Sequence, residues 1–437
     1  MGERIAELIE AGELEAGVRL PTVRAFAKAA EASIGTVLAT WNVLRERGLI
    51  ETNRRGGTVV GHDAGGTVAT TPPPSPTPFP GWAALDLAQS APDIALQPEL
   101  GEALLASLDA KELNIFGREH MTAPLRAAVE PTWPFAAEAW TTAGGGTEAL
   151  LLATAAAAPP GSLVAVDEPL SPGFLDTLRD LELTPIGVAA DDDGPLPAAL
   201  EQAIIAGAAA FVFQPGAPFA ERHGVSGQRA EELAAVLDAA DRRVWVIEDD
   251  SIGPLAAAEP PSLGARLPHR VIRIRSYCKA YGIDVRTSVI AGAAELVDQS
   301  NRLRSFGVGS NSRILQNTLA HLVGSEAARG SVERARAAYS ARRGALLEAL
   351  DAAGAPGRSG PGSLVVWVPV RDETDAVLAL ARLGIYVGQG SKAFITPQPQ
   401  AAIRISVTQL PDDARRIREL ADAVAEAARG GAREYFD

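Results

Sequence analysis

The chain has 437 residues, of which 47% are hydrophobic and 22% charged, with a formal net charge of −14 and one cysteine. This length predicts two or three domains, and the composition is ordinary for a globular protein. The single cysteine excludes an intrachain disulfide framework and a cysteine-based zinc cluster, so we expect no metal site. No apolar run reaches the roughly 18 residues of a membrane helix and no signal peptide precedes the first helix, so we expect a cytoplasmic protein. The negative charge argues against a protein that coats nucleic acid, although it permits a small DNA-reading module on an acidic domain.

Residues 61–82, "GHDAGGTVATTPPPSPTPFPGW", are rich in proline, glycine, threonine and serine and have neither helical nor strand periodicity. Such a composition favours an extended, semi-rigid linker. We therefore predict a module at 1–61, a linker at 62–82 and a large domain at 83–437.

The first 61 residues predict three short helices followed by a β-hairpin. Ile5, Leu8 and Ile9 share one helical face, and Ser33 is a plausible N-cap of the third helix. The segment "LIETNRRGGTVVG" predicts two strands around a basic turn. This order is typical of a winged helix-turn-helix; a helical docking domain is the alternative. The cations able to face DNA phosphates are Arg24, Lys28, Arg54 and Arg55.

The segment from "GELEAGVRLPTVRAFAKAA" to "RRGGTVV" resembles the DNA-binding domain of the GntR family. The resemblance implies a double-stranded DNA operator as partner. Ile34 stands where the family usually has an arginine, which predicts either poorer base readout or a different base specificity. The DNA contacts implied by the resemblance are Arg24, Ser33, Gly35, Thr36, Arg54 and Gly57, with Arg55 beside them in the wing.

The large domain alternates apolar strand-like runs with helical patterns, as in "SLVAVDEP", "AAAFVFQPG", "RVWVIEDD" and "RVIRIRS". Strands that are apolar throughout and joined by helices predict a mainly parallel sheet covered on both faces, that is, an α/β fold. Ligands bind at the carboxyl ends of such strands. The polar residues at these ends are Glu168, Gln214, Asp249, Asp250 and Lys279.

The glycine-rich turn in "TTAGGGTEAL" leads into a helix, whose free N–H groups and positive dipole end suit a phosphate. A plain tight turn is the alternative for this turn taken alone. Ser276 and Arg286 flank Lys279 and are able to supply a hydroxyl and a guanidinium to the same phosphate. The residues predicted to form the turn of this site are Gly145, Gly146 and Thr147.

A phosphate site, a lysine at a strand end and a nearby carboxylate together indicate pyridoxal 5′-phosphate (PLP). We predict that Lys279 forms the Schiff base and that Asp249 keeps the ring nitrogen protonated, although the adjacent Asp250 is able to exchange roles with it. Cys278 is predicted to be a small packing residue rather than a nucleophile.

The large domain resembles fold-type I aminotransferases through "GGGTEAL", "VIEDD", "S..K......R" and "AAIRISVT". The resemblance implies a smaller C-terminal α+β subdomain, a homodimer, and a substrate-carboxylate role for Arg404; a surface ion pair is the alternative for this arginine. With the GntR-type module in front, the whole chain resembles the MocR subfamily of transcriptional regulators.

Three positions depart from the aminotransferase pattern. Ser171 stands where an aromatic residue usually stacks on the cofactor ring, Ala217 replaces the Asn or His that bonds the ring hydroxyl, and Ser251 replaces a tyrosine. Each change removes a contact worth about 1 kcal/mol or more. Phe174 or Tyr281 is a possible stacking substitute.

These departures favour a regulator that senses an amino-compound or a cofactor vitamer over the alternative of a working aminotransferase. A regulator that has lost the cofactor is a further alternative. The sequence leaves turnover, the effector, the operator and the sign of regulation open.

Overall fold

The computed structural model describes residues 84–430 apart from 112, 118, 172 and 306–308, together with 5, 6, 8, 9, 14, 18–22, 26, 27, 37, 40, 41, 43–45, 49–53 and 57–60. The chain forms two compact units, Met1–Ser75 and Pro76–Asp437. Their boundary falls inside the segment 62–82, and the three predicted domain ranges stay a prediction. No helix among the described residues has the length and apolar content needed to cross a membrane.

In the first unit, β2 (Ile50–Asn53) and β3 (Gly57–Val60) form the predicted antiparallel hairpin, with Asn53 paired to Gly57. An additional strand, β1 (Arg19–Leu20), pairs with β3. Val37, Trp41 and Leu44 belong to the predicted third helix and are buried in a core with residues of the other elements. Their spacing of four and three residues places them on one helical face.

The large unit is built on a seven-stranded sheet of order β5-β13-β12-β11-β10-β6-β7. The pairs from β12 through β7 are parallel, as predicted, whereas β13 is antiparallel to both of its neighbours. The strands are β5 (Ala139–Ala143), β6 (Leu163–Asp167), β7 (Thr184–Val188), β10 (Ala210–Phe213), β11 (Trp245–Asp250), β12 (Val271–Ser276) and β13 (Ser288–Gly292).

Helices cover both faces of this sheet, which explains why its strands are apolar throughout. Phe211 and Phe213 belong to one core and Val212 to the other, as the alternation of side chains along a strand requires. The helices before the last long one are α1 (Gly101–Ser107), α2 (Ala123–Val129), α3 (Gly146–Ala157), α4 (Phe174–Asp180), α5 (Pro197–Ala206), α6 (Gly227–Asp238), α7 (Cys278–Tyr281), α8 (Ala294–Arg304) and α9 (Arg313–Gly324).

A smaller subdomain follows the long helix α10 (Glu326–Ala352). Its four-stranded sheet has the order β14-β16-β15-β4, in which β4 (Leu85–Leu87) comes from the start of the unit and runs parallel to β15. The predicted α+β character of this part is therefore confirmed. Its other elements are β14 (Val365–Pro369), α11 (Glu373–Arg382), β15 (Ile385–Gln389), β16 (Ala402–Ser406) and α12 (Ala414–Arg429), and a β8–β9 ladder (Ala190–Asp191, Gly194–Pro195) lies outside both sheets.

The fold predicts opposite effects for two glycine-to-alanine changes. A Cβ on Gly292, which has φ +149°, would lie 2.7 Å from Ile272 Cα and closer still to the carbonyl oxygen of Val271. Gly292→Ala is expected to destabilise the domain by about 2 kcal/mol or more. Gly344→Ala, in helix α10 with no described atom within 4 Å of its Cβ, is expected to stabilise it by about 0.5–1 kcal/mol. Urea unfolding midpoints measure both, and equal midpoints for the two variants would contradict the sheet packing.

Candidate cofactor site

The two adjacent aspartates that end β11 have different surroundings. Asp250 accepts from Arg275 Nε at 2.7 Å and from Arg273 Nη2 at 3.2 Å. Burial opposes ionisation of Asp250, but the two guanidiniums outweigh it and hold its pKa below the usual value. Asp249 instead accepts a hydrogen bond from Ser171 Oγ at 2.6 Å and is attracted by Lys279. The structure therefore places Asp249, and not Asp250, beside the lysine.

Burial raises the pKa of Asp249 from 3.8 to about 6, and the hydrogen bond from Ser171 and the charge of Lys279 oppose this rise. The carboxyl group is 4% exposed. No described arginine forms an ion pair with it, in contrast to Asp250. A cationic ring nitrogen placed at Asp249 would relieve the cost of burying its charge.

The glycine turn, Ser276 and Arg286 meet in space. Helix α3 begins at Gly146, and Gly145 before it has φ +120°. A Cβ on Gly146 would lie 3.3 Å from Ser276 Oγ, and one on Gly145 would lie 3.9 Å from Arg286 Nη1. Thr147 is exposed in the first turn of the helix. Backbone N–H groups, a hydroxyl and a guanidinium therefore surround one small volume, and this donor set suits a phosphate.

Lys279 lies in the short helix α7, directly after the strand that ends at Ser276. Its Nζ is 5.3 Å from the centre of the Phe219 ring, and its carbonyl oxygen accepts from Gln97 Nε2 at 3.4 Å. Cys278 Sγ is 3.2 Å from Ser276 Oγ, which fits the packing role predicted for the cysteine.

Arg404 is buried on β16, so the surface ion pair considered for it is wrong. Its Nε donates to the carbonyl oxygen of Gln389 at 3.2 Å. Burial lowers the pKa of Arg404, and the attraction to Glu373 offsets this lowering only in part. The Arg404 guanidinium lies 5.8 Å from the Trp367 ring, and Trp367 Nε1 donates to the Phe219 carbonyl at 2.9 Å. Contacts through Trp367 and Phe219 thus connect Arg404 to Lys279.

The three departures from the aminotransferase pattern lie at the same sheet edge. Ser171 is bonded to Asp249, Ala217 is 3% exposed with φ +44°, and Ser251 Oγ is buried without a partner among the described protein atoms. The proposed stacking substitutes, Phe174 and Tyr281, are buried in two different cores. Neither ring is available to a ligand in this arrangement.

Two carboxylates of this region were not assigned a partner from the sequence. Glu148 accepts from Gly144 N and lies 3.5 Å from Arg304 Nε. A glutamate at the third position of a helix commonly bonds back to the preceding turn, so "GGGTE" contains the signal. Glu168 accepts from Thr396 N at 2.9 Å and from Ile395 N, and it thereby connects the end of β6 to the smaller subdomain.

Most of the residues predicted to contact DNA lie outside the described part of the chain. Gly57 is described and begins β3 of the hairpin. The predicted contacts that the structure does not describe are Arg24, Ser33, Gly35, Thr36, Arg54 and Arg55.

A lysine that attracts a buried carboxylate and a group of phosphate-binding donors, both at the carboxyl edge of this sheet, are the arrangement expected in PLP-dependent aminotransferases. The chain belongs to the family "Aminotransferase class I and II", whose model matches residues 84–424. Residues 1–60 match "Bacterial regulatory proteins, gntR family". The two matches in this order confirm the predicted MocR-type organisation of a transcriptional regulator.

One relative is the "Vitamin B6 salvage pathway transcriptional repressor PtsJ" of Salmonella typhimurium, 28% identical over 417 residues and covering 94% of each chain. Solved structures share the fold of the large unit. The multiple substrate aminotransferase of Thermococcus profundus has a TM-score of 0.70 at 18% identity, and Thermus thermophilus aspartate aminotransferase with maleate has 0.69 at 22%. Each match covers 80% of this chain and 92% of the other.

The raised pKa of Asp249 predicts how stability depends on pH in the cofactor-free protein. Between its ordinary value of 3.8 and about 6, the folded state holds a proton that the unfolded state has lost, so stability falls as pH rises through this window. Asp249→Asn removes this loss, and the variant is expected to gain up to about 3 kcal/mol relative to wild type between pH 4 and pH 7.5. Unfolding midpoints at the two pH values test this. Asp241→Asn, on an exposed carboxylate, is the control, and a pH-independent difference for Asp249→Asn would contradict the assignment.

Proposed function

We propose that the protein is a transcriptional regulator whose large domain holds PLP at Lys279 and senses a B6 vitamer or another amino-compound. The proposal rests on three features at one sheet edge, namely Lys279, Asp249 and the glycine turn with Ser276 and Arg286. The buried Arg404 of the smaller sheet is linked to Lys279 through Trp367 and Phe219. When bound, PLP supplies an aldehyde that condenses with primary amines and a ring that withdraws electrons.

Each residue has a distinct task in the proposed site. Lys279 supplies the amine that holds the cofactor aldehyde, and Asp249 keeps a proton on the ring nitrogen. The N–H groups at Gly145 and Gly146, with Ser276 and Arg286, hold the phosphate. Arg404, buried and without a described ion-pair partner, is the group for the effector carboxylate.

The replacements at the ring explain why sensing is favoured over turnover. Ser171 offers no stacking surface, and Ala217 offers no hydrogen bond to the ring hydroxyl. A loosely held ring exchanges with free vitamers, which suits a sensor. Aminotransferase activity is the second candidate function, and the retained Lys279, Asp249 and Arg404 favour it.

The vitamer as effector gains support from the PtsJ relative, whose name gives the vitamin B6 salvage pathway. The 28% identity extends through both parts of the chain, so the similarity includes the order of module and large domain. A regulator acts where its operator is, and the proposal therefore places the protein in the cytoplasm. The DNA contacts proposed for the module are Arg24, Ser33, Gly35, Thr36, Arg54, Arg55 and Gly57.

We also propose a homodimer. Within residues 94–116, the large apolar side chains of Ile94, Leu105 and Phe116 are 89%, 70% and 105% exposed. Exposed apolar side chains that form a patch mark an interaction surface, and we propose that this segment contributes to one. Gln97, in the same segment, bonds to the carbonyl of Lys279, so this surface adjoins the proposed site.

The central test is the effect of the cofactor on operator binding. A DNA duplex is selected from a random pool with the full-length protein, and its affinity is titrated with and without PLP and pyridoxamine. PLP is expected to change the affinity several-fold, and Lys279→Ala is expected to abolish the change. Lys392→Ala, an exposed lysine, is the control and should behave as wild type. Borohydride reduction before digestion should leave pyridoxyl mass on Lys279; mass on another lysine, or operator affinity independent of PLP, would refute the proposal.

Restoring the ring contact at position 217 should tighten cofactor binding. The positive φ of Ala217 suits asparagine better than most residues, so Ala217→Asn adds a hydrogen-bonding amide at low backbone cost. PLP binding should tighten by about 0.5–1.5 kcal/mol, roughly 2- to 10-fold, as measured by absorbance titration. Ala217→Gly relieves the same backbone strain without adding the amide. Equal affinities for the Asn and Gly variants would show that residue 217 does not contact the ring.

A further inference from the structure

A cavity of about 560 Å³ lies away from the proposed cofactor residues. Its walls come from three parts of the large unit: the loops after β10 and β11, one face of helix α10, and Pro361, Gly362 and Leu364 of the smaller subdomain. Neither Asp249, Lys279 nor Arg404 lines it. Its volume is in the range of small-molecule sites.

Most of the wall is apolar. Ile252, Leu255 and Leu364 contribute aliphatic side chains, and a run of alanines and prolines at residues 256–261, interrupted by Glu259, forms one side. A wall of this kind accommodates a hydrocarbon body, and its few polar groups determine which end of a ligand enters first.

Two arginines of α10 supply the positive charge of the cavity. Arg343 donates to the Ser363 carbonyl and to Ser340 Oγ, each at 3.1 Å, and burial lowers its pKa. Arg336 donates to the carbonyl oxygens of Leu255 at 3.0 Å and Pro254 at 2.9 Å. Within the described chain, no carboxylate lies within the 4.0 Å ion-pair distance of either guanidinium.

The neighbouring arginine of the same helix differs from Arg343 because it has carboxylate partners. Arg342 points to the other side of the helix and pairs with Asp93 and Asp412, each at 2.8 Å. Arg343 is partly buried and has only neutral acceptors. A partly buried guanidinium with only neutral acceptors is able to pair with the carboxylate of a ligand.

The carboxylates that line the cavity limit the charge of the ligand. Glu259 is already paired with Arg273 at 2.9 Å and with Arg275. Glu333 also lines the cavity, so Arg336 and Arg343 leave about one positive charge without compensation. One negative charge balances this arrangement, whereas a phosphate dianion would exceed it.

We propose that this cavity binds an organic monocarboxylate with an apolar body, its carboxylate on Arg343 and Arg336. This site is separate from the effector position at Arg404 and does not depend on PLP. Two of its walls continue into the cofactor site, because Gly216 precedes Ala217 and a Cβ on Gly216 would lie 2.8 Å from Ile252 Cγ2. A ligand here contacts segments that also position Ala217 and Asp249.

Calorimetric titration of the full-length protein with 3-phenylpropanoate, hexanoate and indole-3-propanoate tests the proposal, with 3-phenylpropanamide as the uncharged match. At least one of the three carboxylates should bind saturably. Inorganic phosphate and 3-phenylpropanamide should each bind with an affinity about tenfold lower or less. Arg343→Gln should weaken carboxylate binding about tenfold or more. Arg334→Gln, at an exposed arginine on the same helix, is the control and should leave it unchanged.

Loss of binding in Arg404→Gln with retention in Arg343→Gln would overturn the proposal, because the carboxylate would then occupy the effector position. Equal binding of the amide, or no saturable binding of any of the three acids, would also overturn it. Arg343→Lys retains the charge and should bind more tightly than Arg343→Gln; unfolding midpoints of both variants guard against a folding defect. If carboxylate binding persists in Lys279→Ala, the cavity binds its ligand without the cofactor lysine. A failure of the cofactor proposal would then leave this result unaffected.

Discussion

A carboxylate buried at the end of a parallel strand needs an opposite charge, because water no longer stabilises it. At this sheet edge arginines meet that need for three of the described carboxylates, whereas two others have different partners. Glu168 is held by backbone N–H groups of the smaller subdomain, and Asp249 has only a serine hydroxyl and the attraction of one lysine. The pairs with arginine are Glu248 with Arg273, Asp250 with Arg275, and Asp167 with Arg222.

This asymmetry gives the sheet edge its specificity. Burial raises the pKa of Asp167 and Glu248 as well as that of Asp249, but each of those two carboxylates has a guanidinium partner, whereas Asp249 has none among the described residues. Asp249 has a raised pKa, and the anion-holding groups at Gly146, Ser276 and Arg286 lie at the same edge. A molecule with a basic ring nitrogen and a phosphate satisfies both, which is why the charge arrangement and the aminotransferase fold support the same cofactor.

Much of this architecture could be predicted from the sequence because it follows from local patterns. Continuous apolar strands separated by helices predicted the parallel sheet. The hairpin at residues 50–60 was predicted from two strand-like runs around a basic turn. The antiparallel β13 was not foreseen, since a short apolar run does not reveal its direction. Likewise, nothing local to residues 85–87 indicates that they pair with β15, some 300 residues later.

The sequence indicated which residues form the site but not which of them contact each other. The spacing of Ser276, Lys279 and Arg286 indicated a phosphate and an amine. Asp249 was preferred to Asp250 as the ring partner, but the alternative stayed open until the different partners of the two aspartates were known. The bond from Ser171 to Asp249 joins residues 78 positions apart. The cavity at Arg343 was also beyond sequence reasoning, because its walls come from three distant segments.

Ser171 is expected to weaken cofactor binding in the proposed site, and this weakness suits the proposed sensing function. An aromatic residue there would stack on the ring, whereas the serine gives its hydrogen bond to Asp249 and partly satisfies that carboxylate when the ring is absent. Each such change stabilises the cofactor-free state relative to the bound state, and about 1.4 kcal/mol corresponds to a tenfold change in the dissociation constant. An enzyme loses output when its cofactor dissociates. A regulator whose occupancy must follow the cofactor concentration requires this balance, because a ligand that never leaves carries no information about its supply.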